Sequence, residues 1–89
     1  MAKSKTIEVE VAGHVWRVPK GIDDDFELVE LFAAGEEGSS ASLVNAVKKV
    51  VPEQYDLFRE ACRDDNGQVS TEKVGDLLKE IMEAVVPNS

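Results

Sequence analysis

Thr6-Ile-Glu-Val-Glu-Val-Ala-Gly-His-Val-Trp-Arg-Val18 decides the fold, because apolar and polar residues alternate there on both sides of Ala12-Gly13. A period of two residues is typical of a β-strand with one buried face, and the interruption predicts a hairpin. With Ala12-Gly13 as the loop, the cross-strand pairs on the apolar face are Ile7 with Val18, Val9 with Trp16, and Val11 with His14. The opposite face pairs Glu8 with Arg17.

The hairpin has two further consequences. A two-residue type I′ turn would require a positive φ from Ala12, so a four-residue loop with the same register is the alternative. A lone hairpin is only marginally stable in water, so we expect the face that carries Trp16 to pack on the rest of the chain.

Two helices are predicted after the hairpin. The first spans about 24–34, because the aspartates at 23–25 supply carboxylates to the free N–H groups of a first turn, and it ends at Gly35. Its inward residues are expected to be Phe26, Val29 and Leu31 or Phe32. The second is capped by Ser40 or Ser42 and ends at Pro52. Its apolar stripe consists of Leu43, Val44, Val47, Val50 and Val51.

Two more helices follow. The third is predicted over about 52–63, with Tyr55, Phe58, Ala61 and Cys62 at helical spacing. The fourth has Ser70 as its cap and the most regular pattern, formed by Val74, Leu77, Leu78, Ile81, Met82 and Val85. The sequence therefore predicts one α+β domain over 1–89. Its hairpin at 6–18 packs on a bundle of about four short α-helices within 23–85, and 86–89 form a flexible tail.

Size and charge restrict the function. The 89 residues suffice for one small core, and domains of this size often gain stability by self-association. The net charge is −8, with +2 over 1–20 and −10 over 21–89. Since phosphates bind Lys and Arg, this balance argues against nucleic acid and anionic membranes and is compatible with a basic partner segment. No apolar run reaches the length of a bilayer span or a signal peptide, so a cytoplasmic location is expected.

Catalytic and cofactor motifs are not recognisable. His14 and Cys62 are the only histidine and the only cysteine, and no third residue near either in sequence would orient them as a catalytic dyad. We expect His14 to be a solvated turn residue and Cys62 a small buried apolar side chain. The six glycines form no phosphate-binding motif, and the carboxylate pairs are typical of solvated surfaces. We therefore predict no enzyme activity, no catalytic residues and no cofactor.

The segment 64–70, Asp-Asp-Asn-Gly-Gln-Val-Ser, resembles the middle of an EF-hand calcium loop. With Gly67 at the sixth loop position, Asp64 and Asn66 occupy ligand positions. The end positions would hold Cys62 and Lys73, where the loop needs a carboxylate and a bidentate glutamate. We expect no metal site here, but a helix–helix turn whose Asn66-Gly67 supplies the left-handed conformation that ends the third helix.

In the order of these elements, the chain resembles the small tail assembly chaperones of long-tailed bacteriophages, particularly those of Gram-positive hosts. The resemblance covers nearly the whole chain. It rests on the Ile-Glu-Val-Glu-Val hairpin with Trp16, Asp-Asp-Asp-Phe-Glu-Leu-Val-Glu-Leu at 23–31, Pro-Glu-Gln-Tyr-Asp-Leu-Phe at 52–58, Gly-Gln-Val-Ser at 67–70, Leu-Leu-Lys-Glu-Ile-Met-Glu-Ala at 77–84, and the terminal Pro-Asn-Ser.

The resemblance implies an assembly factor of the host bacterial cytoplasm that is not part of the mature virion. It would bind the tape measure protein, be displaced as the tail tube protein polymerises, and exist partly in a frameshifted, longer form. A client of this kind is a helix with an apolar stripe, so the binding residues expected on the helices are Phe32, Leu43, Val47, Leu78, Ile81 and Met82. The same surfaces would permit self-association. The alternatives are a small acidic adaptor or inhibitor, a degenerate calcium-binding helix pair, and a structural tail or head–tail completion protein.

Overall fold

The computed structural model describes residues 6–86 and has an α+β architecture, as the sequence predicts. The predicted tail lies outside the described residues except for Val86. The elements in chain order are β1 (Thr6–Val11), β2 (His14–Pro19), a 3-10 turn (Ile22–Asp24), α1 (Phe26–Glu36), α2 (Ser40–Val50), α3 (Tyr55–Ala61) and α4 (Thr71–Val85).

The hairpin has the predicted register, with Val9 opposite Trp16 and Ile7 opposite Val18. Its loop is the two-residue form, because Ala12 and Gly13 both have positive φ, 56° and 80°. The four-residue alternative is therefore wrong. Alanine accepts the strained φ because the paired strands hold both ends of the turn in place.

Trp16 connects the hairpin to the helices. It is completely buried, its ring meets Phe58 of α3 edge-on at a centroid distance of 5.7 Å, and its indole Nε1–H donates to the Val11 carbonyl at 2.9 Å. The prediction that this face packs on the helices is confirmed. His14 lies half-buried against Trp16, with ring centroids 5.6 Å apart, and is not the solvated turn residue expected.

Helix α1 starts later than predicted and turns a different face to the core. The Asp25 carboxylate accepts hydrogen bonds from the backbone N–H groups of Glu27 and Leu28, so Asp25 is the cap and the helix begins at residue 26. Leu28 is buried, whereas Phe26 is 73% exposed and Val29 54% exposed. The inward assignment of Phe26 and Val29 is wrong, because the core face runs through Leu28, Leu31 and Phe32.

The cap of α2 is Ser39 and neither Ser40 nor Ser42 as predicted, and the Ser39 hydroxyl accepts from the N–H of Ser42 at 3.2 Å. Val44 of the predicted stripe is 39% exposed, and Ala46 is buried beside Val47. The helix turns a narrower face to the core than the apolar stripe suggests, because its neighbours cover only one side.

Helix α3 is shorter than predicted, at Tyr55–Ala61, and Ala61 is exposed. Gln54 explains the late start. Its side-chain amide accepts from the Arg17 N–H at 2.6 Å and donates to the Val15 carbonyl at 2.9 Å, so it ties the chain before α3 to β2. The helix begins only after this bridge.

Helix α4 agrees with its prediction. The Ser70 hydroxyl caps it by accepting from the Lys73 N–H, and Leu77, Leu78, Ile81 and Val85 are buried. Helix α4 packs mainly on β1, whereas α1 packs along α2 and α2 meets α4 only briefly. This arrangement leaves an open groove beside α4.

Candidate partner-binding groove

The groove beside α4, which we name the α4 groove, has a volume of about 460 Å³. It lies between α4, the second half of α1, and Leu43 of α2. Its floor is formed by Phe32, Leu43, Leu78 and Met82, together with the glycines Gly35 and Gly75. The groove exists because the packing partners of α1 and α4 differ, so these helices do not close on each other along their length.

Four of the six predicted binding residues meet in this groove. Phe32, Leu43 and Met82 are half-buried there, and Leu78 reaches its floor from the core. Three helices thus bring together residues that are 50 positions apart between Phe32 and Met82. The half-buried members offer apolar surface to a partner without leaving the core incomplete.

Val47 and Ile81 do not line the groove. Val47 is 2% exposed and Ile81 is completely buried, so both belong to the hydrophobic core. Leu78 is also completely buried and serves mainly as a core residue. Helical periodicity places these side chains on apolar faces, but it does not show which part of each face a neighbouring element covers. Their burial therefore leaves Val47 and Ile81 no surface in the α4 groove.

Gly35 and Gly75 are lining residues that sequence reasoning did not identify. Each lies inside a helix, where glycine is about 0.5–1 kcal/mol less favourable than alanine. A Cβ at Gly75 would meet no atom within 4 Å, and one at Gly35 would meet only Leu43 at ordinary contact distance. Internal packing therefore requires neither glycine. For Gly75 the available signal was its position within an apolar helical pattern, whereas Gly35 was predicted to end α1, which in fact continues to Glu36.

The rim of the groove is charged and mostly acidic. Its exposed side chains are Glu36, Glu72, Asp76, Glu83 and Lys79. Four carboxylates and one ammonium group give the rim a net charge of −3. An apolar floor inside an acidic rim matches a ligand that has an apolar surface bordered by positive charge.

A second, smaller cavity of about 210 Å³ adjoins the groove at Leu43 and is lined by residues that include Val44, Tyr55 and Val69. The ammonium of Lys48 lies 5.4 Å from the centre of the Tyr55 ring. This cavity holds less than half the volume of the α4 groove and has no comparable acidic rim.

The pKa values of Asp25, Lys49 and Cys62 are shifted by a helix cap with its ion pair and by burial, and those of Glu60 and Arg63 by the ion pair between them. Lys49 Nζ lies 3.1 Å from the Asp25 carboxylate and 3.3 Å from that of Glu27. The pKa of Asp25 is lowered, first by its hydrogen bond to Lys49 and also by its capping bonds, and Asp25 in turn raises the pKa of Lys49. Burial raises the pKa of the Cys62 thiol, which disfavours the nucleophilic thiolate.

The calcium-like segment forms a closed turn. The Asp64 carboxylate accepts N–H bonds from Asn66 at 2.9 Å and Gln68 at 3.0 Å, and Gly67 has a φ of 84°. The predicted helix–helix turn is confirmed, with Gly67 rather than Asn66 in the left-handed conformation; α3 itself ends earlier, at Ala61. Within residues 6–86, no three histidine, cysteine or acidic side chains converge in a way that could hold a metal ion.

Comparison with known proteins gives no match to this chain among family models, curated proteins or solved structures. Across the described part of the chain, no helix combines the length and apolar character needed to cross a membrane.

Proposed function

We propose that this chain is a non-catalytic assembly chaperone of the phage tail type, which binds helices of the tape measure protein in the α4 groove. The observation that carries the proposal is the set of apolar residues from three helices, Phe32, Leu43 and Met82, that line one open groove. The nature of the client comes from the resemblance of the whole-chain pattern to tail assembly chaperones. The groove contributes a surface suited to an apolar helical stripe.

The proposed mechanism is burial of the client's apolar surface during assembly. A tape measure helix leaves an apolar stripe exposed until tube subunits surround it, and exposed stripes of this kind aggregate. Each chaperone copy covers a short length of the helix with modest affinity, and many copies along one client hold it soluble together. Tail tube subunits then displace the copies one at a time. The chaperone acts in the host cytoplasm and is absent from the mature virion.

The proposal is tested by co-expression with the long helical protein encoded downstream of a tail tube gene. The parent chain is expected to raise the soluble fraction of this client, whereas Met82→Asp is expected to lose the effect because it places a charge on the groove floor. Val29→Asp is the matched control, since Val29 is exposed on α1 and does not line the groove. Leu78 is unsuitable for this test because it is buried in the core.

Three results would contradict the proposal. The client could be equally soluble alone, folded Met82→Asp could rescue it as well as the parent, or Val29→Asp could lose the effect as completely as Met82→Asp. Detection of the chain in purified virions would instead favour the structural tail or completion protein. Circular dichroism of each purified variant shows whether it is folded, so loss of binding is separated from loss of structure.

A further inference from the structure

The α4 groove also indicates the chemistry of its occupant, an inference that rests on the proposed helix-binding function. We propose that the groove binds a basic amphipathic helix, whose apolar stripe lies against Gly75 and Met82 while its lysines or arginines pair with the acidic rim. Three features of the groove support this proposal separately: its length, its two helix glycines and the charge of its rim.

The length of the groove suits a helix. Along α4 the lining residues extend from Thr71 to Glu83. At a rise of 1.5 Å per residue this distance is about 18 Å, or roughly three helical turns. A partner helix of comparable length can therefore place one residue per turn on the floor.

The glycines favour close approach of a backbone. Gly75 lies in the middle of α4 and Gly35 near the end of α1, and both face the same groove. Of the glycines the structure describes, Gly13, Gly21, Gly38 and Gly67 have positive φ, which gives glycine a conformational role there. Gly35 and Gly75 have no such role. Without a Cβ at either position, a partner helix can pack closer to the floor than side chains would allow.

The negative charge of the rim favours a partner helix that carries positive charge. Glu36, Glu72, Asp76 and Glu83 border the floor, and only Lys79 opposes them. Lysines or arginines beside the partner's apolar stripe would pair with these carboxylates, whereas an acidic helix would be repelled. A second copy of this chain is a poor occupant, since its net charge of −8 would face a rim that is also negative.

The test uses two synthetic helical peptides of roughly 18 residues, long enough to form a helix when bound. Both carry the same stripe of alanine and leucine. One has lysines on the flanks and the other has glutamates. Binding to the full chain is measured by fluorescence anisotropy at low and moderate salt. The lysine peptide is expected to bind at least about tenfold more tightly than the glutamate peptide at low salt.

Substitutions in the groove test whether the lysine peptide binds there. Gly75→Leu is expected to weaken binding of the lysine peptide about tenfold or more, since its side chain occupies the floor, where a Cβ meets nothing within 4 Å. The double variant Asp76→Lys, Glu83→Lys reverses the rim charge and should weaken binding by a similar factor. Its matched control is Glu10→Lys, Glu80→Lys, which has the same net charge but changes exposed carboxylates that do not line the groove.

The outcomes separate this inference from the proposed function. Equal binding of both peptides, or equal weakening by the rim and control variants, would overturn the basic-helix inference. The chaperone function would still stand if the parent rescues the client and Met82→Asp does not. Failure of the parent to rescue any client would overturn the function. Sedimentation that shows oligomers dissociated by Gly75→Leu would overturn the inference by assigning the groove to a second copy.

Discussion

Truncation of Trp16 to alanine is the sharpest test of how the hairpin is held on the helices. Trp16 is completely buried, meets Phe58 edge-on, and donates its indole N–H to Val11. The substitution leaves a large cavity where the hairpin meets the helices, and the loss for a buried tryptophan is about 3–5 kcal/mol. A chain of 89 residues has a total stability of about 4–13 kcal/mol. The loss is thus a large part of the total.

The expected change in melting temperature follows from this loss. For domains of 60–100 residues, each 1 kcal/mol corresponds to about 4–8 °C, so Trp16→Ala should melt about 12–40 °C below the parent or be unfolded at room temperature. Far-UV circular dichroism measures the transition without relying on Trp16 as a probe. Val15→Ala is the control on the same strand, because Val15 is 51% exposed on the opposite face, and its change should stay within about 0.5 kcal/mol.

A second substitution guards against a variant that does not fold. Trp16→Phe keeps an aromatic ring near Phe58 but loses the indole N–H bond to Val11, so its melting temperature should lie between those of the parent and Trp16→Ala. A melting temperature of Trp16→Ala within a few degrees of the parent would refute the packing argument. So would a loss from Val15→Ala as large as the loss from Trp16→Ala.

Two further predictions concern charge. Calcium up to millimolar concentration should leave helicity and melting temperature unchanged, because Cys62 and Lys73 stand where the loop needs carboxylates and no three acidic, histidine or cysteine side chains converge within residues 6–86. A saturable stabilisation would contradict this. Asp25→Asn keeps a side-chain cap but loses the ion pair with Lys49. Lys49 lowers the pKa of Asp25 in the folded chain, so the ion pair stabilises the parent above pH 3.8, the ordinary pKa of an aspartate. The variant should therefore melt below the parent above pH 3.8, and this difference should disappear as the pH falls through the lowered pKa of Asp25. A deficit that is constant with pH would show that the pair contributes nothing.

The hairpin could be predicted because its residue pattern is compatible with only one strand register. Alternation with a period of two leaves a single register for Val9 and Trp16, since a shift of one residue would expose the tryptophan. Helix α1 differs because Phe26 and Val29 have helical spacing, and so do Leu28 and Leu31. Both faces are apolar, and only packing against α2 selects one of them.

Long-range contacts were not predictable from local sequence. The start of α3 depends on Gln54, whose amide bonds to Arg17 and Val15 of a strand nearly 40 positions earlier. Nothing in the residues around Gln54 indicates this partner. The same reason explains the groove: its existence depends on which helices α1 and α4 pack against, and periodicity within either helix carries no information about that choice.

Different sides of helix α4 face the core and the α4 groove. Successive residues are about 100° apart around the helix axis. This spacing turns Leu77, Ile81 and Val85 toward the core, and Gly75 and Met82 toward the groove.

Leu78 lies at the boundary between these two sides, since it is completely buried and yet lines the groove floor. A charge at Leu78 would remove core packing and partner contact together, so its effect could not be assigned to either. Met82 is half-buried and lines the groove, and its side chain also packs against the edge of the core, so a charge there changes the groove more than the core. Met82 is therefore the better of the two positions for a charge that tests binding, with circular dichroism of the variant to show that the fold is kept.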